Sequence, residues 1–160
     1  MNLLGLALVV GAWGAFCGGY DAALRRIPNI LTLGGHLAGA GMIAATGHGW
    51  LGDPWTSCLK AWALALGLTL PAYALRWLGG GDVKLLTAMG LLGGMQVLST
   101  TYVVGALLVA GGLIAWRTLQ SWGWVWASPT GKGRNLPFGL GLSVGFEVAL
   151  ASRTFDAGWF

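Results

Sequence analysis

Apolar residues gather in six runs, roughly 2–19, 31–47, 57–75, 83–95, 99–116 and 137–151, and the stretches between them carry most of the charge. Most runs are shorter than the roughly 20 residues that a perpendicular membrane span requires, and the fourth is shorter still. Short or broken helices of this kind occur where irregular backbone lines a functional cavity. The pattern predicts an all-α, polytopic membrane bundle of about six transmembrane helices, some short or broken. No charged segment precedes the first run and no small-x-small cleavage site with a mature domain follows it, so it is expected to persist as a helix.

Composition narrows this picture. Of 160 residues, 56% are apolar and only 9% charged, with 29 glycines and 10 tryptophans. A soluble domain carries about 25% charged residues, and a chain this apolar has no reason to stay solvated and disordered. Lipid is the simplest solvent, and one transmembrane domain over residues 1–160 is expected. Glycine is common in membrane helices because it lets backbones approach closely. The pairs Gly14/Gly18, Gly35/Gly39, Gly90/Gly94 and Gly141/Gly145 lie one helical turn apart and suit such packing. No repeat of 20–50 residues is evident.

The net charge of +4 comes from scattered Lys and Arg, without the basic run and interleaved aromatics of a nucleic-acid surface. It reads instead as topology. If the first loop faces the cytoplasm, that side receives Arg25, Arg26, Arg76, Lys84, Arg117, Lys132 and Arg134, seven in all, against Lys60 and Arg153, two, on the other. Both termini then face away from the cytoplasm. Segment 117–136, with Trp122, Trp124 and Trp126, reads as an interfacial anchor. Cys17 and Cys58 form no CxxC or Cys/His cluster, so neither a disulfide scaffold nor a metal site is supported.

Carboxylates are the rare species: Asp21, Asp53, Asp82, Glu147 and Asp156. An acid near hydrocarbon is by default a functional candidate. Asp53 and Asp156 fall in the expected outer loop and tail, where solvation accounts for them. Glu147 lies inside the sixth run, where a structural hydrogen bond or a partner such as Lys60 is the leading reading. Asp21 closes the first helix and Asp82 opens the fourth after Gly79-Gly80-Gly81, both at the cytoplasmic edge. Two carboxylates a few Å apart cannot both ionise comfortably, so one keeps a proton while the other acts as a base. That is the condition for aspartyl-protease chemistry, which needs neither metal nor cofactor. The competing reading has each aspartate only capping a helix or pairing with a cation, Arg25 for Asp21 and Lys84 for Asp82.

The neighbouring residues favour the first reading. The segment Asp21-Ala22-Ala23-Leu24-Arg25-Arg26-Ile27-Pro28-Asn29 resembles the first signature of the type IV prepilin peptidases. Gly79-Gly80-Gly81-Asp82-Val83-Lys84 is similar to their GxGD motif with its trailing Lys, and Leu136-Pro137-Phe138-Gly139 to the Pro-aromatic-Gly element that opens their last helix. The resemblance implies an intramembrane aspartic endopeptidase, with Asp21 and Asp82 catalytic. It would remove the short basic leader of a prepilin or pseudopilin at the cytoplasmic face of the bacterial inner membrane. The chain begins directly at its first helix and lacks paired CxxC motifs, so it looks like the small peptidase-only form associated with tight-adherence (Flp) pili, without a methyltransferase domain. Prepilin and lipid are the partners implied, and the oligomeric state is left open.

Around the aspartates, Gly79, Gly80 and Gly81 allow positive φ and close approach of a substrate strand, or simply a helix break. Pro28 and Asn29, and likewise Pro137, Phe138 and Gly139, serve either as helix starts or as walls of the cleft. Arg25 and Arg26 read first as topology determinants, and Lys84 either tunes Asp82 or snorkels to the interface. His48 is expected to be solvated and His36 packed or hydrogen-bonded, with no second ligand spaced to join it. Gly131-Lys132-Gly133 lacks the flanking residues of a phosphate loop. Two alternatives remain: a presenilin- or preflagellin-type GxGD protease, echoed by Tyr20-Asp21, and a non-catalytic proton-coupled transporter or assembly subunit, for which inverted repeats would be expected.

Overall fold

Helix boundaries follow local chemistry closely in the computed structural model, which describes residues 2–122 and 138–157. Asn2 caps the first helix by accepting the Gly5 N–H at 2.9 Å. This helix, α1 (Leu3–Leu24), runs through Asp21 and ends at Arg25, whose left-handed backbone (φ 52°, ψ 31°) turns the chain at once. Such a conformation costs a non-glycine residue about 1–2 kcal/mol. Pro28, at φ −59°, then starts α2 (Asn29–Thr46), which Gly47 terminates at φ 75°. Proline at a helix start loses no hydrogen bond, and glycine just past the end takes the left-handed turn freely. Pro54 opens α3 (Trp55–Ala74) in the same way, Gly79 opens α4 (Gly80–Ser121), and α5 (Phe138–Ala157) follows.

Among the described residues five helices stand where six were expected, because the runs 83–95 and 99–116 join in α4 across Gln96, Val97 and Leu98. The junction is not straight helix. Gly94 has φ 75° and ψ −168°, which divides α4 into limbs 80–93 and 95–121. A side chain there would be strained by that φ, and its Cβ would fall 2.8 Å from the carboxyl carbon of Asp53. Among the described helices, α1 and α4 are long and apolar enough to cross a membrane, with mean hydropathies of 1.7 and 2.0.

Close contacts define the helix directions. Gly35 and Gly39 of α2 face Ala88 and Leu91 of the first limb, so those elements run parallel, whereas Gly90 packs on Ala61 of α3, which runs antiparallel to it. The second limb returns beside α5, where Gly105 meets Leu142 and Gly145 meets Thr101. Along α1, Gly11, Gly14 and Gly18 face Leu150, Phe146 and Ser143 in descending order, so α1 and α5 are antiparallel. Each of the four glycine pairs read from the sequence thus has a member at a helix contact. The core between them holds Leu85, Leu86, Met89, Val97, Leu98, Leu142 and Phe146, all buried, while Leu8, Ile30, Leu37, Leu107 and Ile114 point outward.

Two carboxylates depart from expectation. Asp53 is not a solvated loop residue: Arg153 of α5 forms an ion pair with it and also donates to Gln96 Oε1 at 2.8 Å. This clasp ties the α2–α3 loop, the break in α4 and the end of α5 together. Glu147 sits against Gly11 and Gly14 of α1 and its Oε1 finds no hydrogen-bond partner among the described residues, while Lys60 is exposed on α3. The side chain of Asp156 lies outside the described residues.

A Cβ on Gly145 would lie 2.5 Å from the Thr101 carbonyl oxygen, whereas one on Gly67 meets nothing within 4 Å. Overpacking against a backbone costs about 1–3 kcal/mol. Gly145→Ala is therefore expected to lower the thermal unfolding midpoint in detergent by several degrees, and Gly67→Ala to leave it unchanged or slightly raised.

Candidate active site

At one end of the bundle, the last turn of α1, the first turn of α4 and the first turn of α5 converge with the loop that joins α1 to α2. Asp21 and Asp82 are carried there by the first two of these turns and are only 4% and 2% exposed. Both line one cavity of about 280 Å³, together with Arg25, Arg26, Ile27, Gly79 and Gly81. The sequence had placed these aspartates on separate helices at a common edge. The fold brings them to a common space.

Each carboxylate is met by a helix N-terminus. Asp21 Oδ2 accepts the Leu140 N–H at 3.1 Å, one of the N–H groups that the start of α5 leaves without an intrahelical acceptor. Asp82 Oδ2 accepts the Gly79 N–H at 3.2 Å, which closes the first turn of its own helix. Both donors lie at helix starts, where N–H groups have no intrahelical acceptor. Main-chain donors thus reach both acids.

Gly139 makes the first of these contacts possible. A Cβ on it would fall 2.8 Å from Asp21 Oδ2 and 2.8 Å from Ile27 Cδ1. The Pro-aromatic-Gly element therefore lies against Asp21 and Ile27 at Gly139, while Phe138 packs against the buried cluster. Pro137 and the span 123–136 lie outside the described residues.

Other expected residues settle differently. Gly79 is extended at φ −85°, and among the described residues only Gly47, Gly52 and Gly94 have glycine φ above zero, so the GxGD glycines do not use the left-handed freedom anticipated for them. A Cβ on Gly81 would make ordinary contact with Ile27 at 3.4 Å, and one on Gly80 with Tyr73 at 3.5 Å. Lys84 donates to Asn29 Oδ1 at 2.9 Å, which joins the GxGD segment to the Pro-Asn pair. Pro28 precedes α2 as its N-cap. Tyr20 packs edge-on against Phe16 one turn back, with ring centroids 5.1 Å apart.

Sequence reasoning passed over Ile27 and the Leu140 N–H. Ile27 is 9% exposed and lies between Gly81 and Gly139, so it joins all three motifs. Its signal was the aliphatic position before Pro28. The Leu140 contact involves the backbone, so no side-chain pattern could announce it. His36 is hydrogen-bonded as expected, through Nδ1 to the Thr32 carbonyl at 2.7 Å and Nε2 to the Thr87 hydroxyl at 3.1 Å. Among the described residues, no three of His, Cys, Asp and Glu converge as a metal ion would require.

Fold and site together define a helical bundle that presents two buried carboxylates, from different helices, to one cavity. The family model of the type IV leader peptidases matches residues 8–116, and the chain belongs to that family. The matched stretch contains both aspartates, the loop at 25–29 and the GxGD segment. It stops short of Gly139, whose place at the site rests on geometry alone. No curated protein and no solved structure matches the chain.

Displacing Asp21 by a fraction of an ångström is enough to test that geometry, since misplacement by about 1 Å can cost on the order of 10²-fold in rate. Gly139→Ala is expected to lower turnover of a leader-bearing precursor about 10- to 100-fold. Gly111→Ala, whose Cβ meets nothing within 4 Å, should leave turnover unchanged.

Proposed function

We propose that the chain is an intramembrane aspartic endopeptidase that removes the leader of type IV prepilins or pseudopilins of the tight-adherence (Flp) kind. The observation that carries this reading is the single cavity lined by Asp21 and Asp82, each supported by a main-chain N–H. One carboxylate takes a proton from water as the water oxygen attacks the scissile carbonyl carbon. The other carboxyl donates its proton to the carbonyl oxygen. Collapse of the tetrahedral intermediate breaks the C–N bond, and a proton passes to the departing amine. Two acids in one cavity, one ionised and one protonated, are suited to both halves of this exchange.

Helix directions support the topology proposed with it. Counting the limbs of α4 separately, six helical segments among the described residues run alternately between the aspartate end and the Asp53–Arg153 end, and α1 starts and α5 ends at the latter. Arg25, Arg26, Arg76 and Lys84 cluster by chain position at the aspartate end, the bias expected of a cytoplasmic face. The outward-facing leucines and isoleucines of α1, α2 and α4 suit a lipid surroundings better than water. The site then faces the cytoplasm across a bacterial inner membrane, with both termini in the periplasm.

General acid–base groups contribute about 10²–10⁴-fold to a rate. Asp21→Asn and Asp82→Asn are each expected to reduce leader cleavage by at least about 10²-fold, with thermal midpoints close to that of the parent chain. Cleavage of a purified prepilin at the parent rate by either variant would remove the two-aspartate mechanism.

A further inference from the structure

The helix α2 takes its main packing from the first limb of α4, the limb that begins with the Asp82 turn. Much of that contact is smooth. Gly35 lies beneath Ala88 and Gly39 beneath Leu91, and glycine surfaces of this kind bring helices close without fixing how far one slides along the other. Directional bonds must supply the register. Among the described residues two join the helices directly, Lys84 Nζ to Asn29 Oδ1 at 2.9 Å, on the exposed rim, and His36 Nε2 to Thr87 Oγ1 at 3.1 Å, deeper in the interface, while Trp50 bridges their far ends through its backbone N–H to the Leu92 oxygen at 3.1 Å and its Nε1–H to the Ala38 oxygen at 3.0 Å.

The deeper bond is held from both sides. His36 Nδ1 lies 2.7 Å from the Thr32 carbonyl oxygen, which can only accept, so Nδ1 carries hydrogen and the ring is locked to its own helix. A neutral ring so oriented accepts at Nε2, so Thr87 Oγ1, placed 2.9 Å and 3.0 Å from the Val83 and Lys84 oxygens on the turn that follows Asp82, gives its one hydrogen to the ring rather than to those carbonyls. The ring and the hydroxyl therefore join two backbones through one short side-chain bridge. At the start of α2, Pro28 and Ile27 follow its position directly, and Ile27 is the wedge between Gly81 and Gly139 in the aspartate cavity.

We infer that His36 and Thr87 are positioning residues for this cavity. They fix the axial register of α2 on the Asp82 limb, and through it the Ile27 wall that faces the two carboxylates. The inference rests on the leader-peptidase reading, and it assigns neither residue a place in the chemistry itself.

The test compares kcat and KM for cleavage of a purified leader-bearing prepilin by the full-length chain in detergent. Thr87→Val keeps the shape and removes the hydroxyl, and Thr87→Ser keeps the hydroxyl. Loss of register should lower kcat for Thr87→Val about ten-fold or more with KM within about two-fold, while Thr87→Ser stays within about three-fold of the parent. His36→Gln, whose amide reaches Thr87, should likewise retain more of kcat than His36→Leu, which covers the case in which Thr87→Val does not fold. A Thr87→Val enzyme with parental kcat, a loss confined to KM or to the thermal midpoint, or failure of Thr87→Ser and His36→Gln to rescue would overturn the inference. No cleavage by the parent chain would overturn the proposed function with it, whereas parental cleavage with an unaffected Thr87→Val overturns this inference alone.

Discussion

The contact between Asp21 and the start of α5 is the constraint on which the site depends. A buried carboxylate needs donors, and a helix N-terminus has N–H groups without acceptors, so the end of α1 and the beginning of α5 answer each other's need. The two residues are 119 positions apart, and only a missing side chain at Gly139 lets them meet. Once that contact forms, α1 and α5 must run antiparallel. Their glycines Gly11, Gly14 and Gly18 then fall opposite Glu147, Phe146 and Ser143 down the length of the pair. Asp82 repeats the same solution locally, on the first turn of its own helix.

The opposite end of the bundle is fixed by a different pairing. Asp53 sits over the break at Gly94 and is held by Arg153, which also reaches Gln96. A reversal of the chain at Gly94 would otherwise expose backbone groups with little to hold their direction. With one clasp at each end and glycine contacts between, the bundle has little need of bulky interdigitation. That agrees with the physics of helices in an apolar solvent, where close packing and interhelical hydrogen bonds do the work that hydrophobic exclusion does in water.

Much of this was legible in the sequence, and the parts that were not share a cause. The runs 31–47, 57–75 and 83–95 match α2, α3 and the first limb of α4 closely at both ends, because proline and glycine mark those ends locally, as Pro28, Gly47, Pro54 and Gly79 do. The aspartates were legible because acids are so scarce. The joining of the fourth and fifth runs was not, since Gly94 looks like any other glycine until Asp53 is seen to occupy the space of its side chain. Asp53 was misread as solvated because its partner lies 100 positions away. Lys84 was weighed only against its neighbour Asp82 and the interface, when its acceptor is Asn29 on another helix.

Main-chain support for both aspartates bears on how two acids can work in one cavity. A backbone N–H at a helix start meets Asp21 and Asp82 alike, one from the first turn of α5 and one from the N-cap of α4. Arg25 and Arg26 line the same cavity from the loop that follows α1. Gly139 thus matters for more than space: without a side chain it admits the Leu140 N–H as a donor to Asp21, and so anchors the start of α5 to the end of α1 beside the cavity.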